Sequence, residues 1–91
     1  MARERRNQNE QDAFTFRISG TVQGKPYEGK NWDYYTVKVE HGDHYDLVRV
    51  ASQRVPVLGD GERITAIGTI RVYYNKDKKC SEFTLYEELK E

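Results

Sequence analysis

The chain has 91 residues, of which 36% are apolar, 12% are aromatic and 33% are charged, and its formal net charge is zero. This length supplies one small domain, and the zero net charge argues against a protein that binds nucleic acid by bulk positive charge alone. No apolar stretch approaches the roughly 18 residues of a membrane helix, and a single cysteine, Cys80, excludes an internal disulfide.

Residues 1–12 contain neither apolar periodicity nor turn residues. Such a polar segment buries too little apolar surface to fold, so we expect it to be a disordered N-terminal arm. The segment is charged where a secretory signal is apolar. We therefore expect a cytoplasmic protein without a membrane segment.

Alternation of apolar and polar residues then predicts the first strand. Its apolar face contains Phe14, Phe16, Ile18 and Val22. Gly20 interrupts this face, and a glycine at such a position allows a strand to coil sharply. Residues 24–31 contain glycine, proline and asparagine, which predict a loop.

The clearest hairpin in the sequence follows, with two strands joined by Gly42 and Asp43. A Gly-X pair suits a type II′ turn. Because neighbouring side chains in a strand point to opposite faces, alternation sorts the residues into two sets. The inward set is Tyr35, Val37, Val39, Val48 and Val50, and the outward set is Trp32, Tyr34, Thr36, Lys38, Tyr45, Leu47 and Arg49.

The third and fourth strands are joined by residues 52–62, in which proline and glycine leave room for one helical turn at most. The fourth strand spans residues 63–75 and contains a second mid-strand glycine, Gly68. A charged tip separates it from the fifth strand, which begins at Cys80. The predicted inward residues of these two strands are Ile64, Ala66, Ile70, Val72, Phe83 and Leu85.

Five short strands with glycine kinks indicate a sheet that coils and closes, since a flat sheet would leave long open edges. The order of strands and loops resembles the OB-fold, a Greek-key barrel whose sheet face and flanking loops bind oligonucleotides or oligosaccharides. We therefore predict an all-β, five-stranded OB-fold barrel with antiparallel strands over residues 13–88, followed by an acidic end at 89–91. An SH3-like barrel is the alternative.

Large rings beside cations form the strongest functional signal. The predicted hairpin faces Trp32, Tyr34 and Tyr45 outward, next to Lys38 and Arg49. Aromatic rings stack on any unpaired base while Lys and Arg hold the backbone, so this pattern indicates binding of single-stranded nucleic acid with little sequence preference. The alternative is that the rings cover a small core or form a dimer interface.

Two loops add further candidates. Tyr73 and Tyr74 precede the charged tip, and alternation allows at most one of them, here Tyr73, to be a stacking residue. The tip and the first loop supply basic residues suited to phosphate contact, or simply to solubility. They are Lys76, Lys78 and Lys79 in the tip, and Lys25 and Lys30 in the first loop, beside Tyr27.

The run QGKPY, residues 23–27, lies ahead of the aromatic strand in a chain that lacks a long helix between its third and fourth strands. In these features the sequence resembles the small single-stranded-DNA-binding proteins of filamentous phages, and more generally single-stranded-binding and replication-protein modules. The resemblance implies that Tyr27 and the neighbouring lysines contact DNA. The polar arm departs from the phage pattern. The acidic end also departs from it, and is similar to bacterial single-stranded-binding tails without their apolar tip.

The sequence offers weak grounds for catalysis or metal binding. His41 and His44 flank an exposed turn near Asp43 and Asp46, where a metal would lack supporting contacts. The serines lie in no nucleophile motif. The carboxylates cannot be assigned to a catalytic pair, because nothing else in the sequence indicates a cleft. We therefore expect no enzyme activity, no cofactor and no metal.

The leading hypothesis is non-catalytic binding of single-stranded nucleic acid, DNA in preference to RNA, in DNA replication. A different class remains open, namely a protein-interaction OB module in a replication or conjugation assembly. A monomer with few phosphate contacts would bind a nucleic-acid strand weakly. Avidity therefore favours a homodimer or a cooperative array.

Overall fold

A computed structural model describes residues 15–89, which form six β-strands and no helix. The strands are β1 (Thr15–Val22), β2 (Tyr27–Glu28), β3 (Asp33–His41), β4 (His44–Ser52), β5 (Arg63–Asn75) and β6 (Cys80–Glu87). Within this range there is accordingly no helix long and apolar enough to cross a membrane. The predicted arm, Phe14 and the last two residues of the predicted acidic end lie outside the described residues.

The sheet closes on itself because β1 has two pairing partners. The strand order is β1-β5-β6-β4-β3-β2, and β1 also pairs with β3 through Thr21 with Lys38 and Val22 with Val37. Five strands form the closed barrel, and β2 is an extra strand on β3. This architecture confirms the predicted all-β, OB-fold-like barrel.

Two features of the sheet differ from the sequence prediction. The expectation of antiparallel strands throughout was wrong, because barrel closure sets β6 parallel to β4. The first loop also contains the two-residue strand β2, in which Tyr27 pairs with Tyr34 and Glu28 with Asp33. So short a strand has no periodicity from which to predict it.

Glycines permit the tightest approaches in the fold. Gly42 has a φ of 64° and Asp43 a negative φ, as the predicted type II′ turn requires. A Cβ added at Gly20 would collide with the carbonyl oxygen of Lys38, and one at Gly68 with that of Tyr86. Both mid-strand glycines therefore let neighbouring backbone cross closely where the barrel bends, as predicted.

The core lies near the end of the barrel that the β4–β5 connector covers. The predicted inward residues that are fully or almost fully buried are Tyr35, Val37, Val50, Ile64, Ala66 and Leu85, together with Val22. Val57 and Leu58 of the connector pack against them, and the Leu58 N–H donates a hydrogen bond of 3.0 Å to the Tyr35 hydroxyl. The connector thus closes this end with both apolar and polar contacts.

Three residues predicted to face inward are exposed instead. Phe16, Val72 and Phe83 are 43%, 68% and 46% exposed. Within the described residues β1 covers β5 only as far as Thr69, and the β5–β6 hairpin continues beyond it. Alternation therefore predicted the correct face of the hairpin, but none of the strands within residues 15–89 covers that face there.

An ion pair between the half-buried Arg54 and the buried Glu87 fastens the connector to the barrel. Glu87, 6% exposed, accepts hydrogen bonds from Ser52 Oγ at 2.6 Å and from Arg54 Nε at 2.9 Å. Arg54 Nη2 also donates to the carbonyl oxygen of Thr65 at 2.6 Å. The bond to Glu87 raises the pKa of Arg54 above its ordinary value. Arg54 therefore joins the connector to both β5 and β6.

Candidate nucleic-acid interface

Two cations flank the centre of the outer face, which is the side of the sheet that points away from the core. Arg49 of β4 and Arg71 of β5 both pair with Thr84 of β6, from its two sides. Thr84 is 2% exposed, whereas both arginines are exposed. The parallel pairing of β4 with β6 therefore sets two positive charges side by side on one surface.

Four rings form an aromatic cluster next to these cations: Tyr27, Trp32, Tyr34 and Tyr86. The ring centroids of Tyr27 and Tyr34 lie 6.2 Å apart, and Trp32 meets Tyr86 edge-on at 5.1 Å. The guanidinium of Arg71 lies 4.7 Å from the Tyr86 centroid. Partial desolvation, followed by the neighbouring Tyr86 hydroxyl, raises the pKa of Tyr34 above its ordinary value of 10.0. The cluster is thus internally ordered and has a cation against it.

A groove made of two neighbouring depressions lies on this face. The first part, the Tyr27 pocket, has a volume of about 340 Å³ and is lined by Lys25, Tyr27, Tyr34, Tyr35, Thr36 and Arg49. The second part, the Glu82 cleft, has a volume of about 410 Å³ and is lined by Thr36, Leu47, Val48, Arg49, Tyr73, Lys78, Ser81, Glu82 and Phe83. Thr36 and Arg49 line both parts, so the two depressions adjoin at these residues.

The Glu82 cleft exists because two strands diverge. β4 pairs with β6 only over Arg49 to Ala51, so the earlier residues of β4 separate from the start of β6. In the space between them, Arg49 Nη1 donates to the Tyr73 hydroxyl, and that hydroxyl donates to Glu82 Oε1 at 3.0 Å. Polar groups from β4, β5 and β6 therefore meet in the cleft.

Glu82 is the centre of this polar network. Lys78 Nζ lies 3.2 Å from Glu82 Oε2, and Asn75 Nδ2 donates to Oε1 at 3.4 Å. The hydrogen bonds from Lys78, Tyr73 and Asn75, in that order, hold the pKa of Glu82 below its ordinary value. The cleft therefore contains an ionised carboxylate beside two cations.

The groove brings together six of the residues predicted from the sequence: Lys25, Tyr27, Tyr34, Arg49, Tyr73 and Lys78. Trp32 lies beside them through its contact with Tyr86. Lys38 and Tyr45 form a separate pair on the β3–β4 hairpin, with Lys38 Nζ 4.6 Å from the Tyr45 centroid. The other predicted lysines are exposed and line neither part of the groove: Lys30, Lys76 and Lys79.

Sequence reasoning missed three residues of this face. Tyr86 and Arg71 were within reach, because both alternate with predicted inward residues, Leu85 and Ile70, and so must point outward. Glu82 gave no signal of its own, since a lone glutamate in a charged hairpin resembles any solvated residue. Its role depends on a register that joins three strands.

The histidines beside the β3–β4 turn form local pairs. His41 Nε2 lies 2.9 Å from Asp46 Oδ2, and His44 Nε2 lies 3.4 Å from Asp43 Oδ1. All four side chains are exposed. Residues 15–89 contain no group of three or more His, Cys, Asp or Glu side chains placed to hold a metal ion.

The chain matches no protein-family model and no curated protein.

Proposed function

We propose that the outer face binds single-stranded nucleic acid, DNA in preference to RNA, without catalysing a reaction. The observation that carries the proposal is the groove, which tyrosine rings and basic side chains line together, among them Tyr27, Arg49 and Tyr73. Stacking on aromatic rings is worth about 1–3 kcal/mol per base and tolerates any sequence. Unpaired bases expose their faces, whereas a duplex hides them, so the rings favour a single strand.

The charges in and beside the groove suit a phosphate backbone. Lys25 lies at one end, Arg49 at the centre and Lys78 at the other end, with Arg71 alongside. The chain as a whole has no net charge, so these local cations must supply the attraction. The proposed mechanism is base stacking combined with electrostatic tracking of the backbone.

The resemblance to the phage single-stranded-DNA-binding proteins supports the same proposal. Its motif ends in Lys25, Pro26 and Tyr27, and two of these line the Tyr27 pocket. DNA is the expected strand, and a cytoplasmic role in DNA replication is the expected setting.

A second candidate function is a protein-interaction module, including self-association into a homodimer. It is favoured by the exposed apolar side chains on the opposite face of the β5–β6 hairpin. Val72 and Tyr74 are 68% and 61% exposed, and neither lines the groove. An unused apolar surface of this kind is typical of protein contacts.

Titration with oligothymidine, followed by the fluorescence of Trp32, tests the proposed function. Trp32 is the only tryptophan and lies beside the groove, so stacking should quench its emission. Tyr73→Ala and Tyr74→Ala are a matched pair on neighbouring positions. Tyr73→Ala should weaken binding by about 1–3 kcal/mol, while Tyr74→Ala should leave it unchanged. Equal losses of affinity in the two variants would show that oligothymidine does not bind in the groove.

The dependence on salt separates nucleic-acid binding from the protein-interaction alternative. If Lys25, Arg49, Arg71 and Lys78 each contact one phosphate, log K should fall against log salt with a slope of about −3 for a single strand. Lys78→Gln should flatten the slope by about 0.7, and Lys79→Gln, outside the groove, should change it less. A slope near zero, or no complex with oligothymidine, would favour the protein-interaction module.

A further inference from the structure

A carboxylate lies in a groove that is otherwise suited to a polyanion. The side chain of Glu82 is only 21% exposed, and it faces the cleft between β4 and β6. A negative charge at this position repels phosphate, so backbone contact does not explain it. Its contacts with Tyr73 and Lys78 order the hairpin, but they also hold an acceptor in the cleft beside two donors.

The cleft has the composition of a pocket for a flat, partly polar group. Leu47 points to the outer face, whereas Val48 and Phe83 belong to the inward faces of their strands and border the gap between β4 and β6. These three side chains form the apolar walls of the cleft, and Leu47 and Phe83 are 56% and 46% exposed. Glu82, Arg49 and Lys78 are the charged groups that converge there. Ligand sites typically combine apolar walls with a few placed polar groups. An unstacked nucleobase has this character, with apolar faces and a polar edge.

We propose that the Glu82 cleft takes one unstacked base of the bound strand, that it prefers guanine, and that Glu82 is the specificity-determining residue. This inference rests on the proposed function, because it assigns a base preference to the same groove.

The preference follows from the pattern of donors and acceptors on the bases. Guanine presents two adjacent donors, N1–H and N2–H, which match the two oxygens of one carboxylate. The same base has acceptors at O6 and N7, which are common partners of Arg and Lys. Thymine and uracil present one N–H between two carbonyl oxygens, which a carboxylate repels. Adenine and cytosine place one amino group beside an acceptor nitrogen, so each offers a single donor.

Glu82 has capacity for such a contact. A carboxylate has about four acceptor sites, two on each oxygen. Oε1 accepts from Tyr73 and, over a long 3.4 Å, from Asn75, whereas Oε2 contacts Lys78 alone of these three. A guanine donor needs to displace only the long Asn75 bond at Oε1 and finds a free site at Oε2. The Lys78 side chain is 65% exposed, and an exposed ion pair is weak. Lys78 can therefore leave Glu82 for guanine O6 at small cost, while Arg49 remains beside the base.

Fluorescence anisotropy of labelled oligothymidines that contain one central dG, dA, dC or dT tests the proposal. Isolated guanines avoid four-stranded structures. The parent protein should bind the dG oligomer at least about fivefold more tightly than the all-thymidine oligomer. Deoxyinosine, which lacks only the N2 amino group of guanine, should lose much of this gain. The inosine comparison uses the unaltered protein, so it remains decisive even if a variant folds poorly.

Glu82→Gln should abolish the preference for dG over dT, measured as the ratio of the two Kd values, because an amide offers one acceptor oxygen where guanine N1–H and N2–H need two. Glu88→Gln is the matched control, since it removes the same charge from an exposed residue outside the groove. It should preserve the dG preference.

Different failures have different meanings. Equal binding of all the oligomers by the parent would overturn the guanine preference and leave the proposed function intact. No binding of any oligomer would overturn the proposed function itself. Equal tightening of all complexes by Glu82→Gln would show that Glu82 only repels phosphate. Competition by GMP as strong as that of the dG oligomer would assign the cleft to a free nucleotide and overturn the proposal of a strand base.

Discussion

The two ends of the barrel have opposite chemistry. At the connector end, the half-buried Arg54 and the buried Glu87 and Ser52 form a hydrogen-bonded network, and the Tyr35 hydroxyl accepts the Leu58 N–H in a part-buried site. At the hairpin end, Val72 and Phe83 are exposed, and the polar groups around Glu82 face a groove open to solvent. The comparison indicates that the connector end stabilises the fold and that the hairpin end is available for binding.

The sharpest test of this difference replaces one arginine at each end. Arg54→Ala should lower the free energy of unfolding by about 3–5 kcal/mol, because it leaves the Glu87 carboxylate buried without its ion partner. Arg49→Ala should lower it by less than about 1 kcal/mol, since Arg49 is exposed, and should weaken oligothymidine binding instead. Urea denaturation measures both. Similar losses of stability in the two variants would contradict the assignment of the ends.

A smaller effect is expected from removing a single hydroxyl. Tyr35→Phe should destabilise the fold by about 1–3 kcal/mol, because the Leu58 N–H loses its acceptor in a part-buried site. Tyr73→Phe is the control at the hairpin end, where solvent can replace the lost hydroxyl. Thermal melting should separate the two variants, and an unchanged melt for Tyr35→Phe would show that the connector does not depend on this bond.

The aromatic cluster lies between the two ends and predicts a change at alkaline pH. Because the folded pKa of Tyr34 is raised above 10.0, its contribution to stability is present below pH 10.0 and is lost as the pH rises through the folded pKa. Tyrosinate absorbance should show a late-titrating component in the folded protein. Tyr86→Phe removes the neighbouring hydroxyl and should move that titration toward the ordinary value. No movement would show that the Tyr86 hydroxyl does not contribute to the shift.

The smallest effect should come from an exposed valine. Val72→Thr should change the free energy of unfolding by less than about 0.5 kcal/mol, because Val72 is 68% exposed. Val50→Thr, at a fully buried position, should cost at least about 1 kcal/mol. A large loss for Val72→Thr would show that this face of the hairpin is covered in solution, which would favour the protein-interaction candidate.

Alternation in the sequence predicted which face of each strand points to the core. It placed Tyr35, Val37, Val50 and Leu85 correctly, since a side-chain period of two is a local property. It could not predict the exposure of Val72 and Phe83, because exposure depends on how far β1 extends along β5. The local pattern therefore predicts to which face each side chain points, whereas the burial of that side chain depends on a strand that is distant in the sequence.

The candidate groove was predicted only in part for the same reason. Tyr27, Tyr34 and Arg49 stand out as rings and cations in the sequence itself. The network of Arg49, Tyr73 and Glu82 depends on two pairings, between β4 and β6 and between β5 and β6. The parallel pairing involves residues more than thirty positions apart and has no local signature in the chain.

That same parallel pairing sets the order in which the chain can fold during synthesis. The β3–β4 hairpin is local and forms on a microsecond timescale. β6 is the last strand in sequence but lies between β5 and β4 in the sheet, so the barrel stays open until residues 84–86 reach Arg49–Ala51. Val50, whose partner is Leu85, is therefore uncovered on every nascent chain that still lacks β6. Ribosome-bound intermediates of this protein should display a half-formed sheet, and they are the stage at which it is most exposed to aggregation.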